Sequence, residues 1–231
     1  MAATTPASII DLRTYATGAP RTRDWLTGRA PPAFADDGAS VSALAPVGQG
    51  RVDALPGDEF VILMSGELTV DSARGATVIT AARSAVLPAG LSFSWRAVAG
   101  TIAVAVTCPA GSGAADDAVA IDEAASLQPS NPPLADLLIG ATPSCRSHTD
   151  YRSIDGEFTC GTWDSTPYRR RPMVYRHIEL MHLLEGSVTF EDEAGSVTFR
   201  KGDIFLAARG ANCAWISEVH VKKVYAIHRP A

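Results

Sequence analysis

The 231-residue chain is 46% hydrophobic and 19% charged, carries a formal net charge of −5 and has a pI near 5.5. That composition suits a soluble globular protein of one or two domains and excludes broad electrostatic attraction to nucleic acid or an anionic membrane. No apolar run reaches the roughly 18 residues of a membrane span, and the opening MAATTPASIIDL lacks a basic, then apolar, leader pattern, so a cytoplasmic protein is expected.

Residues 1–37 hold turn and breaker clusters, Gly18-Ala19-Pro20 and Ala30-Pro31-Pro32, around short apolar pieces, and read as an irregular arm packed on a first domain, 38–108. From Val41 onward short apolar runs alternate with turn signals, the pattern of an all-β barrel or sandwich. The expected strands are Phe60 to Met64, Glu67 to Val70, Thr77 to Thr80, Ala85 to Leu87, Ser92 to Val98 and Thr101 to Thr107. A linker and lead-in, 109–145, is rich in Pro, Gly, Ala, Ser and Asp, with short helices expected at Asp122 to Leu127 and Leu134 to Ile139. Within the second domain, 146–231, the second repeat starts with EFTCGTW and continues with strands at Ser187 to Glu193, Ser196 to Phe199, Ile204 to Leu206 and Val221 to Ile227. Cys108, Cys145, Cys160 and Cys213 have no C-x-x-C spacing, which argues for buried thiols rather than a zinc ribbon or redox pair.

The two domains are copies. Glu59 to Trp95 and Glu179 to Trp215 superpose without a gap at a constant offset of 120 residues (59 to 179, 95 to 215). Matching positions include Glu59 and Glu179, Leu63 and Leu183, Gly66 and Gly186, Thr69 and Thr189, Gly75 and Gly195, Gly90 and Gly210, Trp95 and Trp215. Three of these seven pairs are glycines and one is tryptophan, residues that mark turn geometry or a large packed ring, so the duplication is structural.

These residues resemble the cupins, in which a Glu precedes a turn Gly by seven positions and a P-x-G turn opens a later strand. Glu59 to Gly66 and Glu179 to Gly186 have the first spacing, Pro88-Ala89-Gly90 is the second turn, and the other copy reads Ala208-Arg209-Gly210. The Trp five residues after that Gly is similar to the subfamily that includes the ureidoglycine aminohydrolase cupin domain and the ethanolamine-utilisation cupin. Covering roughly 38–107 and 157–228, the resemblance implies an all-β bicupin: two tandem double-stranded β-helix, jelly-roll barrels related by a pseudo-twofold axis.

The resemblance also implies a divalent metal held by H-x-H, the motif Glu and a His three residues after the second-turn Gly. In the first copy those positions fall on Asp53, Leu55, Glu59 and Phe93, and no histidine precedes His148, so no metal is expected there. In the second they read Met173, Tyr175, Glu179 and Cys213, and Met173 and Tyr175 also replace the acidic and His ligands of the aminohydrolase type. His177 shares strand parity with Glu179, which leaves His177, Glu179 and a Cys213 thiolate as one candidate metal set. The alternative is a pocket with a buried Glu held by Tyr175 or an indole N–H, Cys213 being a small filler. His182 has the opposite parity and is assigned to packing, while His148, His220 and His228 are placed on the surface.

Glu179 and His177 are the candidate catalytic residues, with Tyr175, Cys213, Trp215, Trp163 and Arg171 as candidate ligand contacts. Arg169-Arg170-Arg171 reads as a loop, solvated or offering arginine forks to a carboxylate or phosphate. Three functions stay open: binding of a small polar or anionic metabolite without the usual metal site, aminohydrolase- or isomerase-like catalysis on a small nitrogenous or sugar-acid substrate, and a structural role for degenerate barrels. For the enzyme, Glu179 would be acid or base, its pKa raised if desolvated. No cofactor is expected beyond the candidate metal. The expected partner is a small molecule, not nucleic acid or membrane, and the protein is expected to be a monomer or homodimer.

Overall fold

The structure is a computed structural model that describes residues 9–109 and 113–231; expectations for residues 1–8 and for 110–112 of the linker lie outside the described residues. It is built from two β-barrel units, each a jelly roll of two facing sheets that are antiparallel except where Arg21–Thr22 runs parallel to Ser40–Pro46.

The N-terminal unit gathers 12–121 (its described part), 150–160 and 230–231. Its larger sheet runs in the order Val119–Ala120, Ser84–Leu87, Asp58–Ser65, Ile102–Cys108, Ser40–Pro46, Arg21–Thr22, with Phe34–Ala35 also paired to Ser40–Pro46. The smaller sheet runs Gly48–Val52, Phe93–Ala97, Glu67–Ser72, Gly75–Thr80. Along Phe93–Ala97 the side chains of Phe93, Trp95 and Ala97 are buried while Ser94 and Arg96 are exposed, the period of two that a half-buried strand requires. The core between the sheets is filled by Trp25, Val61, Leu63, Leu68, Phe93 and Trp95 with smaller aliphatic residues.

The C-terminal unit gathers 9–11, 122–149 and 161–229 of the described residues. Its larger sheet runs Ile9–Asp11, Ile204–Ala207, Ile178–Glu185, Val221–His228, Phe158–Ser165, Cys145–Arg152, Gln128–Ser130, and its smaller one Leu138–Ile139, Tyr168–Val174, Asn212–Ser217, Ser187–Asp192, Gly195–Arg200. Four strands recur at the 120-residue offset without slip: Asp58–Ser65 and Ile178–Glu185, Glu67–Ser72 and Ser187–Asp192, Gly75–Thr80 and Gly195–Arg200, Ser84–Leu87 and Ile204–Ala207.

Several local expectations are corrected. Part of the arm leaves the first barrel: Ile9–Asp11 pairs with Ile204–Ala207 on the edge of the C-terminal sheet, and Leu12–Ala16 is a short helix of the N-terminal unit. Asp122 to Leu127 is a turn, because the Asp122 carboxylate accepts the Ala124 N–H at 2.9 Å and competes with helix formation. In the stretch Leu134 to Ile139 only Ala135–Leu137 forms a 3-10 turn, after which Leu138–Ile139 pairs as a strand with Arg170 and Arg169. The arginine run is therefore not a loop but part of the strand Tyr168–Val174.

The two motif glycines of the C-terminal copy share a left-handed backbone but differ in the space around them. Gly186 has φ +77°, and a Cβ there would stand 2.0 Å from the His220 carbonyl oxygen. Gly210 has φ +88° but nothing within 4 Å. Gly186→Ala is expected to cost on the order of 3 kcal/mol or more, since left-handed strain and a backbone clash add. Gly210→Ala should cost about 1–2 kcal/mol from strain alone. Equal losses in urea denaturation would show that the close approach at Gly186 is relieved without cost.

Candidate functional site

In the N-terminal barrel the motif carboxylate is enclosed. Glu59 is 1% exposed and accepts the Trp25 indole N–H at 2.8 Å and the Thr107 hydroxyl at 2.9 Å. The Arg29 guanidinium forms an ion pair with it at 2.8 Å. Trp25 packs edge-on to Phe93 at 5.8 Å and tilted against Trp95 at 6.1 Å, so aromatic rings fill the space above the carboxylate. Asp53 lies exposed, paired with Arg51 at 2.9 Å, and Leu55 and Phe93 are core residues. Trp25 and Arg29 escaped the sequence reading because they precede the repeat.

In the C-terminal barrel Glu179 and His177 meet, although His177 lies in the bend just before the strand Ile178–Glu185, with His177 Nε2 3.5 Å from Glu179 Oε2. The dominant partner is Lys223, 6% exposed, whose Nζ stands 2.7 Å from Glu179 Oε1. That ammonium also lies 3.2 Å from Met181 Sδ, 4.8 Å from the Trp163 ring centre and 5.1 Å from that of Trp215. Trp163 stands edge-on to Trp215 at 6.2 Å, and Tyr168 stacks on Trp215 at 5.6 Å. Two of the sequence-derived contacts, Trp163 and Trp215, thus build the wall around the Glu179–Lys223 pair. Burial pushes the Glu179 pKa up, but the Lys223 ammonium and the His177 hydrogen bond outweigh it and hold the carboxyl at about 2. The net shift is opposite to the rise considered for an acid–base role.

Tyr175 packs on His177 at 5.3 Å between ring centres, and its hydroxyl lies 3.4 Å from Arg170 Nη2. Arg170 is 4% exposed and pairs in register with Trp215. Its other hydrogen bonds run to the Arg171 and Cys213 carbonyls at 3.3 and 3.4 Å, and its guanidinium lies 5.6 Å from the Tyr175 ring centre. Among the described residues no carboxylate pairs with it. On the outer face of the same strand Arg169, Arg171 and Pro172 line a cleft of about 510 Å³ together with Asn212, Glu191 and Glu193, while the Arg170 side chain turns inward. Arg171 itself points elsewhere, donating to the Asp136 carbonyl at 3.1 Å, and Arg169 pairs with Glu218. Burial pushes the Tyr175 and Tyr168 phenols up despite Arg170, so both remain hydrogen-bond donors.

Of the remaining histidines, His182 is buried, His220 is exposed and faces Asp164 and Glu185 at 3.2 and 3.4 Å, and His148 is half-buried. His228 is buried with Nδ1 3.4 Å from Arg209, a correction to its surface placement, because it closes the last strand opposite Ile178.

The site does not fit a divalent ion. Among the described residues no group of three or more His, Cys, Asp and Glu side chains stands together as an ion's shell, and an ammonium already lies against Glu179. Burial pushes the Cys213 thiol up to about 11 against the lowering by Arg170, so without an ion it is a protonated thiol at neutral pH.

A family description for the EutQ-like cupin domain matches residues 152–225. The crystal structure of a DUF861-family protein of unknown function from Pseudomonas syringae pv. tomato str. DC3000 is similar over 90% of this chain and 91% of that chain, at 30% identity and TM-score 0.83. The chain belongs to the DUF861 family of cupins. Similarity in fold alone extends to a Cupin 2 conserved barrel domain protein from Leptotrichia buccalis (11% identity, 99% and 100% of the two chains, TM-score 0.65). It extends also to a putative glyoxylate induced protein from Pseudomonas aeruginosa (14% identity, 86% and 78%, TM-score 0.53). No curated protein matches this DUF861 chain.

Proposed function

We propose that the C-terminal barrel of this cupin binds a small anionic metabolite, a carboxylate-bearing one, with Arg170 as its anchor. The observation that carries this reading is a guanidinium 4% exposed with only three hydrogen bonds of 3.3 to 3.4 Å and no carboxylate partner among the described residues. A buried charge left without a counter-ion costs several kcal/mol, and an arriving carboxylate would remove that cost through a bidentate contact. The protonated Tyr175 hydroxyl beside it is a second donor for the same oxygen atoms. Binding is favoured over acid–base catalysis by Glu179, because a carboxyl held at about 2 has no proton to give near neutrality and is a weak base.

Thermal unfolding in the presence of acetate, succinate, glycine and inorganic phosphate tests this. At least one of them should raise the midpoint of the wild type, since a ligand at about 100 times its Kd contributes roughly 2.7 kcal/mol. Arg170→Met should abolish the response, and in the absence of ligand it should equal or exceed the wild type in stability, having lost an uncompensated buried charge. Arg171→Met should respond like the wild type. An unresponsive wild type, or a response that survives Arg170→Met, would remove Arg170 as an anion anchor.

A further inference from the structure

Both motif carboxylates are neutralised by a cation of the chain itself, but from positions that do not correspond. Glu59 meets Arg29, whose counterpart at the repeat offset is Thr149 (29 to 149). Glu179 meets Lys223, whose counterpart is Ala103 (223 to 103). The duplicated unit carries the carboxylate in common, and each barrel adds its cation separately. One supplies it from the segment ahead of its repeat, the other from the middle of the strand Val221–His228.

The surroundings of the Lys223 ammonium are those of a bound ion. A carboxylate oxygen stands at 2.7 Å and a thioether sulfur at 3.2 Å, and two indole faces lie about 5 Å away at 4.8 and 5.1 Å. Each of these partners is attracted to positive charge, the rings through their quadrupoles. His177 approaches the other oxygen of the same carboxylate at 3.5 Å, which completes the ring of polar groups around Glu179. We infer that Lys223 is a tethered cation standing where a free cation would otherwise bind the motif carboxylate, and that its removal converts Glu179 and His177 into a site for one. This holds independently of whether an anion binds at Arg170.

The test is cation rescue of Lys223→Ala, with Co²⁺ and methylammonium as probes and the thermal midpoint of the intact protein as readout. Lys223→Ala is expected to gain stability with either probe at millimolar concentration, and its apparent affinity for Co²⁺ should be at least tenfold above that of the wild type. Glu179→Gln combined with Lys223→Ala should lose that gain. A Lys223→Ala midpoint that rises no more than the wild type's, or a rescue that survives Glu179→Gln, would overturn the inference. If Lys223→Ala does not fold, Lys223→Met serves, followed by carbon-detected titration of Glu179. In the wild type the carboxyl should stay ionised to about 2, and in Lys223→Met it should take up its proton at clearly higher pH. An unchanged titration would show that Lys223 is not the counter-ion.

Discussion

Lys223→Met is expected to lower stability by roughly 3–5 kcal/mol at neutral pH, the cost of leaving one member of a buried ion pair without the other. For a protein of this size each kcal/mol moves the midpoint by roughly 2–4 °C, so the loss is readily measured. The effect should depend on pH in a definite direction. The folded carboxyl of Glu179 sits at about 2 against an ordinary 4.5, so its contribution is fully present above about 4.5 and is lost as pH falls through 2. That shift corresponds to about 3 kcal/mol at 1.36 kcal/mol per unit. The difference between wild type and Lys223→Met should therefore be fully present at pH 7 and reduced to about half or less at pH 3, where unfolding measurements in urea can be made on both. Replacing the pair together, Glu179→Leu with Lys223→Met, should recover most of the loss, because an apolar pair of similar volume carries no desolvation cost. A penalty that is the same at both pH values would show that the carboxylate does not respond to Lys223.

Trp25→Ala should be comparably severe for the N-terminal barrel. It removes an indole that packs against Phe93 and Trp95 and at the same time withdraws the N–H from Glu59. Truncating a buried Trp costs about 3–5 kcal/mol. Trp25→Phe separates the contributions: it keeps the ring in place and gives up only a hydrogen bond to a charged group, about 1.5–3 kcal/mol. Thermal unfolding of both variants checks this. If Trp25→Phe is as damaging as Trp25→Ala, packing contributes little and the indole N–H is the main stabilising element.

Much of the architecture is legible in the sequence because the repeat is in register. Gly66 with Gly186 and Gly75 with Gly195 mark the same turns, and the strands between them follow at one offset. The two-residue spacing is also informative at short range, since His177 reaches Glu179 from the bend just before its strand. Side-chain direction cannot be read where a strand is not recognised. Arg169-Arg170-Arg171 is polar enough to resemble a loop, yet in the strand Tyr168–Val174 the middle arginine turns inward beside Trp215 while its neighbours face out. Lys223 was missed for a different reason. A lysine among VKKVYAIH looks like an outward residue, and the available signal was its parity with Val221 and Tyr225, both buried. Contacts made by Trp25 and Arg29 depend on where the preceding segment docks, which no periodicity records.

The short strand Ile9–Asp11 ties the order of synthesis to the completion of the C-terminal barrel. Ile9 pairs with Ala207 and Asp11 with Phe205, so the first contact joins residues 198 positions apart (207 − 9). At a translation rate of about 5–20 residues per second, roughly 10 to 40 s separate the two partners' emergence. The early segment must therefore wait unpaired while everything between is made, a long loop closure that delays the finish rather than the nucleus of folding. What it finally covers is the apolar edge Ile204–Ala207, which would otherwise offer its open backbone groups to another chain. Along this edge the barrel made last is covered by three residues made long before it.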